Sequence, residues 1–203
     1  MKAKRSVTCH RQTRIRAMFL AFTLMATAVF VAAPTGPASA ANNYGYTWCK
    51  FSSTAIPYST PVPPSGYYLS NAQVDWQNNT DVGSWVSTTA AVRIAFAFAN
   101  YGDTKWSGLT TWTVCTGSGG KHNSTVNIKI NRYYLDGASY TANAKVSVMA
   151  HEIGHALGLI DFGSSSTACA STVLMNGYDS NRYFTCGIYQ TKLDDQTGIN
   201  LLY

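Results

Sequence analysis

Two histidines and a glutamate with helical spacing form the chemically strongest pattern in the sequence, His151-Glu152-Ile153-Gly154-His155. Residues four apart lie on one face of a helix, so the imidazoles of His151 and His155 can bind the same metal ion. Glu152 lies beside them as a candidate general base. Zinc in enzymes usually takes three protein ligands and a water. The spacing therefore predicts a zinc site that still needs a third ligand.

A candidate third ligand follows the second histidine closely. Gly158 can adopt a positive φ, which ends a helix and turns the chain back, and Asp161 comes three residues later. Only one other histidine, His122, lies after residue 40, so Asp161 has little competition. We predict one Zn2+ ion held by His151, His155 and Asp161, with no organic cofactor. Calcium stays open as a second ion but is not indicated, because the few acidic residues are scattered and form no calcium-loop pattern.

The first 40 residues have the layout of a secretory signal peptide. A basic segment is followed by the apolar run Ala17 to Ala33 and by the cleavage signal Ala38-Ser39-Ala40. An uncleaved membrane anchor is the alternative, but the run is short for a span of about 20 residues. We expect cleavage after Ala40. Residues 41–203 would then be one secreted, extracellular domain with no stable membrane association.

Removal of this leader changes the charge balance. The whole chain has 15 Lys and Arg against 9 Asp and Glu, a net charge of +6. Six of the basic residues and none of the acidic ones precede residue 41, which leaves nine of each sign. No basic patch then remains to indicate nucleic acid or an anionic membrane as a partner.

Four cysteines remain after the leader, an even number that predicts disulfides in a secreted chain. Three pairings are open to them. We favour Cys169 with Cys186, because they bracket a short irregular segment, and Cys49 with Cys115, because both lie in strand-like sequence. One bridge with two free thiols is the alternative.

Periodicity and turn residues give an outline of secondary structure. Strands are expected over residues 48–51, 56–58, 109–116 and 125–131, with a short one at 139–141. Helices are expected over 84–100, from about 143 through the two histidines, and from about 191 to the C-terminus. Prolines and a glycine between residues 57 and 66 predict a loop, as do the glycines of 117–120. Thr191 and Asp194 have the spacing of a capping box.

Three features in the last third of the chain occur together. They are the motif from His151 to Asp161, a methionine before a turn at Met175, and the pattern Asp194-Asp195-x-x-Gly198-Ile199-x-x-Leu202-Tyr203. Together they resemble the metzincin metallopeptidases. The C-terminal pattern looks like that of matrixin catalytic domains, and the aspartate at the third ligand position is similar to snapalysin-like small bacterial neutral proteases.

This resemblance implies an α+β fold of the metzincin-type zincin class, close to α/β. It has a twisted mixed sheet with two helices, an active-site cleft, and a small irregular C-terminal subdomain with a final helix. Met175 would be a structural floor beneath the zinc. Asp194 and Asp195 would tie the last helix to the methionine turn, although a solvated helix start explains them equally well. Metzincins with a tyrosine near the zinc have it two residues after the methionine. Tyr178 follows Met175 by three residues, so we do not expect it to be a ligand.

The implied function is that of a secreted, monomeric zinc endopeptidase acting on polypeptides, with Glu152 as the general base. Two departures from the family pattern matter. No pro-segment with a cysteine switch is expected between Ala40 and the domain, and the extra histidines of a second, structural zinc are missing. Two alternatives stay open. One is a secreted zinc-containing binding module without proteolytic activity, and the other is a peptidase dedicated to one cell-wall or host substrate.

Overall fold

The computed structural model describes residues 44–47, 49–113, 115–116 and 120–203. The expected signal peptide and its cleavage site lie outside the described residues, and so do residues 117–119 of the expected glycine-rich loop. In the described part of the chain, no helix combines the length and apolarity needed to cross a bilayer.

A five-stranded mixed sheet forms the centre of the domain. The strands are β1 (Ala55–Ser59), β2 (Ser84–Ser87), β3 (Ile94–Ala99), β4 (Gly108–Thr111), β5 (Cys115–Thr116), β6 (Lys121–His122) and β7 (Val126–Asn131). In the five-stranded sheet their order is β2-β1-β3-β7-β4. Its first four strands in this order run parallel, and β4 pairs antiparallel with β7 at one edge. A separate two-stranded sheet pairs β5 with β6.

Two long helices and the sheet enclose the core. The long helices are α1 (Leu69–Asn79) and α3 (Ala142–Leu157). The short ones are α2 (Arg132–Leu135) and α4 (Leu193–Asn200). Trp76 of α1 is fully buried, and its indole Nε1 donates to the carbonyl of Ala150 in α3 at 2.9 Å. This bond satisfies the indole N–H inside the core and fixes α1 against α3. The expected α+β fold, with a mixed sheet, two main helices and a final helix, is confirmed.

The helix expected over residues 84–100 is wrong, because this segment forms β2 and β3. Ile94, Phe96 and Phe98 alternate with alanines, and the first two are buried. That period of two, with aromatic and β-branched residues, is typical of a strand. The spacing of three and four that suggested a helix started at Trp85, which belongs to a different strand.

The sequence interpretation also missed helix α1, which follows the proline-rich loop. Leu69, Ala72 and Trp76 recur at helical spacing and are buried. The residues between them are mostly Ser, Asn and Gln, several of which favour caps and turns over helix interiors. Burial of Trp76 against α3 therefore determines this helix more than local propensity does.

Smaller expectations have mixed outcomes. Strands over 56–58 and 125–131 are confirmed as β1 and β7, and the expected strand 109–116 is split into β4 and β5. The expected strand 48–51 is wrong in its described part, where Lys50 forms only an isolated bridge with Lys121. Residues 139–141 form no strand, and Thr141 instead caps α3. The Thr191–Asp194 capping box is also wrong, because the Asp195 carboxylate accepts the Lys192 N–H at 2.8 Å.

Two disulfides join the irregular parts of the chain. Cys49 pairs with Cys115 and Cys169 with Cys186, the pairing favoured from the sequence. The first attaches the N-terminal segment to β5. The second joins a 3-10 turn at Cys169–Ser171 to the end of a π-helical segment at Ser180–Thr185, and so closes the small C-terminal part.

A buried histidine makes the stability of the domain depend on pH. His122 donates from Nε2 to the carbonyl of Ala156 at 3.0 Å, since a carbonyl only accepts, and its Nδ1 has no hydrogen-bond partner among the described residues. Burial lowers the pKa of His122 below its ordinary value. The folded chain therefore keeps this ring neutral at a pH where the unfolded chain has already bound a proton.

We predict that stability falls as the pH drops below about 6.5, the ordinary pKa of histidine. The free energy of unfolding should decrease by up to about 1.4 kcal/mol per pH unit in that window, because only the unfolded state takes up this proton. The ring centroids of His122 and Phe51 are 4.8 Å apart. His122→Phe keeps an aromatic ring packed against Phe51 and removes the imidazole that titrates. Urea denaturation from pH 5 to 8 should show the two proteins converging on acidification. Parallel curves would contradict the prediction.

Candidate metal centre

Helix α3 is the rigid element that presents the histidines. Its 16 residues begin after Thr141, whose side chain accepts the N–H of Ala144 at 3.3 Å. It ends at Gly158, which has a φ of 122°. A Cβ at Gly158 would lie 2.9 Å from the carbonyl oxygen of Cys49, so both the backbone angle and the close approach favour glycine. The expected turn at Gly158 is therefore confirmed.

The turn returns the chain so that Asp161 lies beside the two imidazoles. Asp161 Oδ1 is 3.2 Å from His151 Nε2 and 3.4 Å from His155 Nε2. The two Nε2 atoms are 3.1 Å apart. The three side chains that the sequence picked out thus form one compact triangle of ligand atoms.

Hydrogen bonds on the far side of each ring set the tautomer of both histidines. His151 Nδ1 bonds the carbonyl of Leu174 and His155 Nδ1 bonds the carbonyl of Leu159, each at 2.9 Å. A carbonyl only accepts, so each Nδ1 carries the proton and each neutral ring has its Nε2 lone pair free. Two lone pairs and a carboxylate oxygen therefore face one another. This arrangement requires a cation or a proton at its centre.

The dimensions of this triangle fit zinc. Zinc bonds nitrogen and carboxylate oxygen at about 2.0–2.2 Å in a tetrahedron, which places neighbouring ligand atoms about 3.3–3.5 Å apart. The observed separations of 3.1 to 3.4 Å are close to that edge. Two imidazoles and a carboxylate are also a donor set typical of zinc enzymes, in which the fourth position stays open.

The ionisation states of the ligands suit a cation as well. Burial lowers the pKa of His151 and so favours the neutral ring that a metal needs. Partial loss of water around the Asp161 carboxyl would by itself raise its pKa, but its bonds to His151 and His155 outweigh this and hold that pKa well below the usual range. For His155, burial is likewise outweighed, by Asp161 and Glu152, and its pKa is raised. Metal binding would displace the proton that His155 and Asp161 otherwise share.

Beneath the histidines, the methionine turn is fixed by a buried carboxylate. Asp195 of α4 is fully buried and accepts the N–H groups of Leu174 and Met175 at 2.9 and 3.1 Å. Its burial raises its pKa to about 6. Asp195 thus ties the last helix to the turn whose Leu174 carbonyl orients His151. Asp194, in contrast, is partly exposed.

Met175 packs directly against α3 at Gly154. It is fully buried, and a Cβ added at Gly154 would lie 2.3 Å from its sulfur. The same Cβ would lie 3.0 Å from the ring of Trp76. The motif therefore needs a glycine at position 154 for Met175 to pack against the helix.

Glu152 is the only glutamate in the sequence. Its side chain extends from α3 toward the edge strand β4. Its exposed fraction is 5%, and its Oε2 accepts a hydrogen bond from Thr110 Oγ1 at 2.6 Å. A Cβ at Gly108 would lie 2.6 Å from its Oε1. Neither Thr110 nor Gly108 was predicted from the sequence to contact Glu152. A strand was expected there, but nothing in its own residues showed that it packs on the glutamate.

The ligand atoms and Glu152 border an open cleft of about 740 Å³. Its lining includes Gly108, Leu109 and Thr110 of β4, and also Asp161, whose side chain is 63% exposed. Tyr178 lines the cleft with its side chain half exposed, but it is not part of the ligand triangle.

A buried arginine, Arg182, also lines the cleft and was not predicted from the sequence. Arg182 is 1% exposed, pairs with Asp179 and donates from Nε to Ser147 Oγ of α3 at 3.0 Å. Tyr140 donates its hydroxyl to the same aspartate at 2.9 Å. A buried charge needs such partners. The contacts fix the segment after the methionine turn to α3, and no periodic sequence signal would have revealed them.

No protein-family model matches the sequence, and none of the curated proteins compared with it gives a significant match. Among solved structures, the chain is similar to high choriolytic enzyme 1, a hatching enzyme zinc-protease from Oryzias latipes (medaka fish). The two share 18% sequence identity with a TM-score of 0.39, over 76% of this chain and 92% of that one. A likeness this distant establishes neither a family nor an activity for this chain.

We predict that Asp161→Ala weakens zinc binding by at least about 100-fold. Loss of a residue that only hydrogen-bonds a metal ligand can already weaken metal binding by up to about 100-fold, and loss of a ligand should cost at least as much. Competition with a chromophoric chelator measures the affinity. Asp81→Ala, at an exposed aspartate outside the cleft, is the matched control and should bind like the wild-type chain. Equal affinities for Asp161→Ala and the control would exclude Asp161 as a ligand.

Proposed function

We propose that this chain is a zinc-dependent endopeptidase of the metzincin type, with residues 41–203 as its catalytic domain. The observation that carries the proposal is the convergence of three metal-ligand atoms beside the buried carboxylate of Glu152, at an open cleft. His151, His155 and Asp161 would hold the ion. The aspartate as third ligand, with the helix tied to the methionine turn, supports the matrixin-like and snapalysin-like variant of that type.

Zinc, when bound, supplies a Lewis acid that polarises a peptide carbonyl and makes a water acidic near neutral pH. Glu152 accepts the proton of the attacking water and passes it to the leaving amine. The neighbouring histidines are fixed by main-chain carbonyls, so the reacting groups need little reorganisation.

The edge strand supports polypeptides as substrates. Asn131 N–H donates to the Ser107 carbonyl at 2.8 Å, which makes these two residues a hydrogen-bonded pair in the antiparallel ladder. Because such pairs alternate along the ladder, the main-chain groups of Gly108 and Thr110 point away from β7. Both residues border the cleft. An extended peptide can therefore pair with β4 and place a peptide bond beside Glu152.

Localisation and partners follow from the same proposal. The two disulfides suit an oxidising compartment, which supports a location outside the cell after removal of residues 1–40. We also propose that the protein acts as a monomer. A peptidase dedicated to one cell-wall or host protein would use the same site. A zinc-containing binding module is less well supported, since a structural zinc site needs no carboxylate held beside it.

We predict that Glu152→Ala lowers kcat for casein hydrolysis by at least about 100-fold, the lower range for loss of a general base. Zinc content should stay at one ion per chain, because all three ligands are retained. Asp194→Ala, which alters a partly exposed acid outside the cleft, is the control for removal of a carboxylate. A zinc-loaded Glu152→Ala protein that cleaves casein at the wild-type rate would contradict the proposed mechanism.

A further inference from the structure

The contact between the edge strand and the glutamate is short and specific. Thr110 Oγ1 lies 2.6 Å from Glu152 Oε2 and 2.9 Å from the main-chain oxygen of the same residue. A hydroxyl has one proton to donate. The shorter contact and the charge of the carboxylate assign that proton to Oε2, since charge-assisted hydrogen bonds are the shorter and stronger ones.

A glycine on the same face of the strand, Gly108, also packs closely against the Glu152 side chain. Gly108 and Thr110 are two residues apart, so both face α3. A Cβ at position 108 would lie 2.5 Å from Glu152 Cγ, 2.8 Å from Cδ and 2.6 Å from Oε1. The carboxylate is therefore confined by the bare Cα of Gly108 and held by the hydroxyl of Thr110.

We infer that Thr110 is a positioning residue for Glu152, an inference that rests on the proposed peptidase function. Its hydroxyl fixes the rotation of the carboxylate by binding Oε2, which leaves Oε1 as the atom that accepts the proton. Without that bond the side chain samples other rotamers, and fewer of them place an oxygen where the water reacts. Thr110 itself exchanges no proton with the substrate.

Thr110→Val removes the hydroxyl and keeps the shape of the side chain. We expect kcat to fall about 10- to 100-fold, as for loss of one hydrogen bond to a charged group, with KM for a peptide substrate unchanged. Thr110→Ser restores the hydroxyl and should recover most of kcat. Thr125→Val is the matched control, because the Thr125 hydroxyl donates to the Ala91 carbonyl at 2.7 Å and does not line the cleft.

A spectroscopic measurement tests the same contact without using activity. Glu152 is the only glutamate in the sequence. Glutamate labelled with 13C at its side-chain (δ) carboxyl therefore gives one glutamate resonance from the protein. In the zinc-loaded protein, Thr110→Val should shift this resonance, whereas Thr125→Val should leave it at the wild-type position. Gly108→Ala is a second variant. Its added methyl should shift the resonance and lower kcat while zinc content is kept, because the crowded group is the movable end of a side chain.

Separate outcomes identify which idea fails. An active wild-type chain whose Thr110→Val variant keeps both kcat and the resonance position would overturn the role of Thr110 alone. Failure of Thr110→Ser to recover activity above Thr110→Val would also overturn it, because packing and not the hydroxyl would then matter. A zinc-loaded wild-type chain that cleaves no peptide would overturn the proposed function, and with it any catalytic role for Thr110.

Discussion

The structure depends on one electrostatic constraint, the convergence of three hydrogen-bond acceptors at a single point. His151 Nε2, His155 Nε2 and Asp161 Oδ1 lie within 3.4 Å of one another, and both rings use their N–H groups elsewhere. Such a group is repulsive without a positive charge at its centre. A proton shared by Asp161 and His155 supplies that charge until a metal ion displaces it, and the fold holds the three atoms in place in both states.

Several separate parts of the chain contribute to that task. Gly158 turns the chain so that Asp161 returns, and the Leu174 carbonyl orients His151. Asp195 holds the methionine turn from the last helix, while Trp76 fixes α3 from the other side. Because these supports come from α1, α4 and two turns, the site is a product of the whole domain and not of the helical motif alone.

The sequence predicted which side chains come together at the candidate site better than it predicted the sheet. The spacing from His151 to Asp161 is local, so helix geometry and one glycine were enough to bring the three side chains together. Residues 84–100 were misassigned because alanines interspersed with apolar residues fit both a helix and a strand, and pairing with β7 decides between them. Thr110 and Arg182 were missed for a related reason. Each acts through a tertiary contact with α3 that no local pattern encodes.

Zinc K-edge X-ray absorption on the purified protein, with one equivalent of zinc added, tests this account most directly. We expect two imidazoles and oxygen donors at about 2.0–2.2 Å, with no sulfur. Replacing Asp161 with alanine should change the oxygen contribution and leave the two imidazoles. A first shell with sulfur or a third imidazole would contradict the account, and so would a chain that binds no zinc. Each of these results would show that the convergence of His151, His155 and Asp161 does not form the metal site.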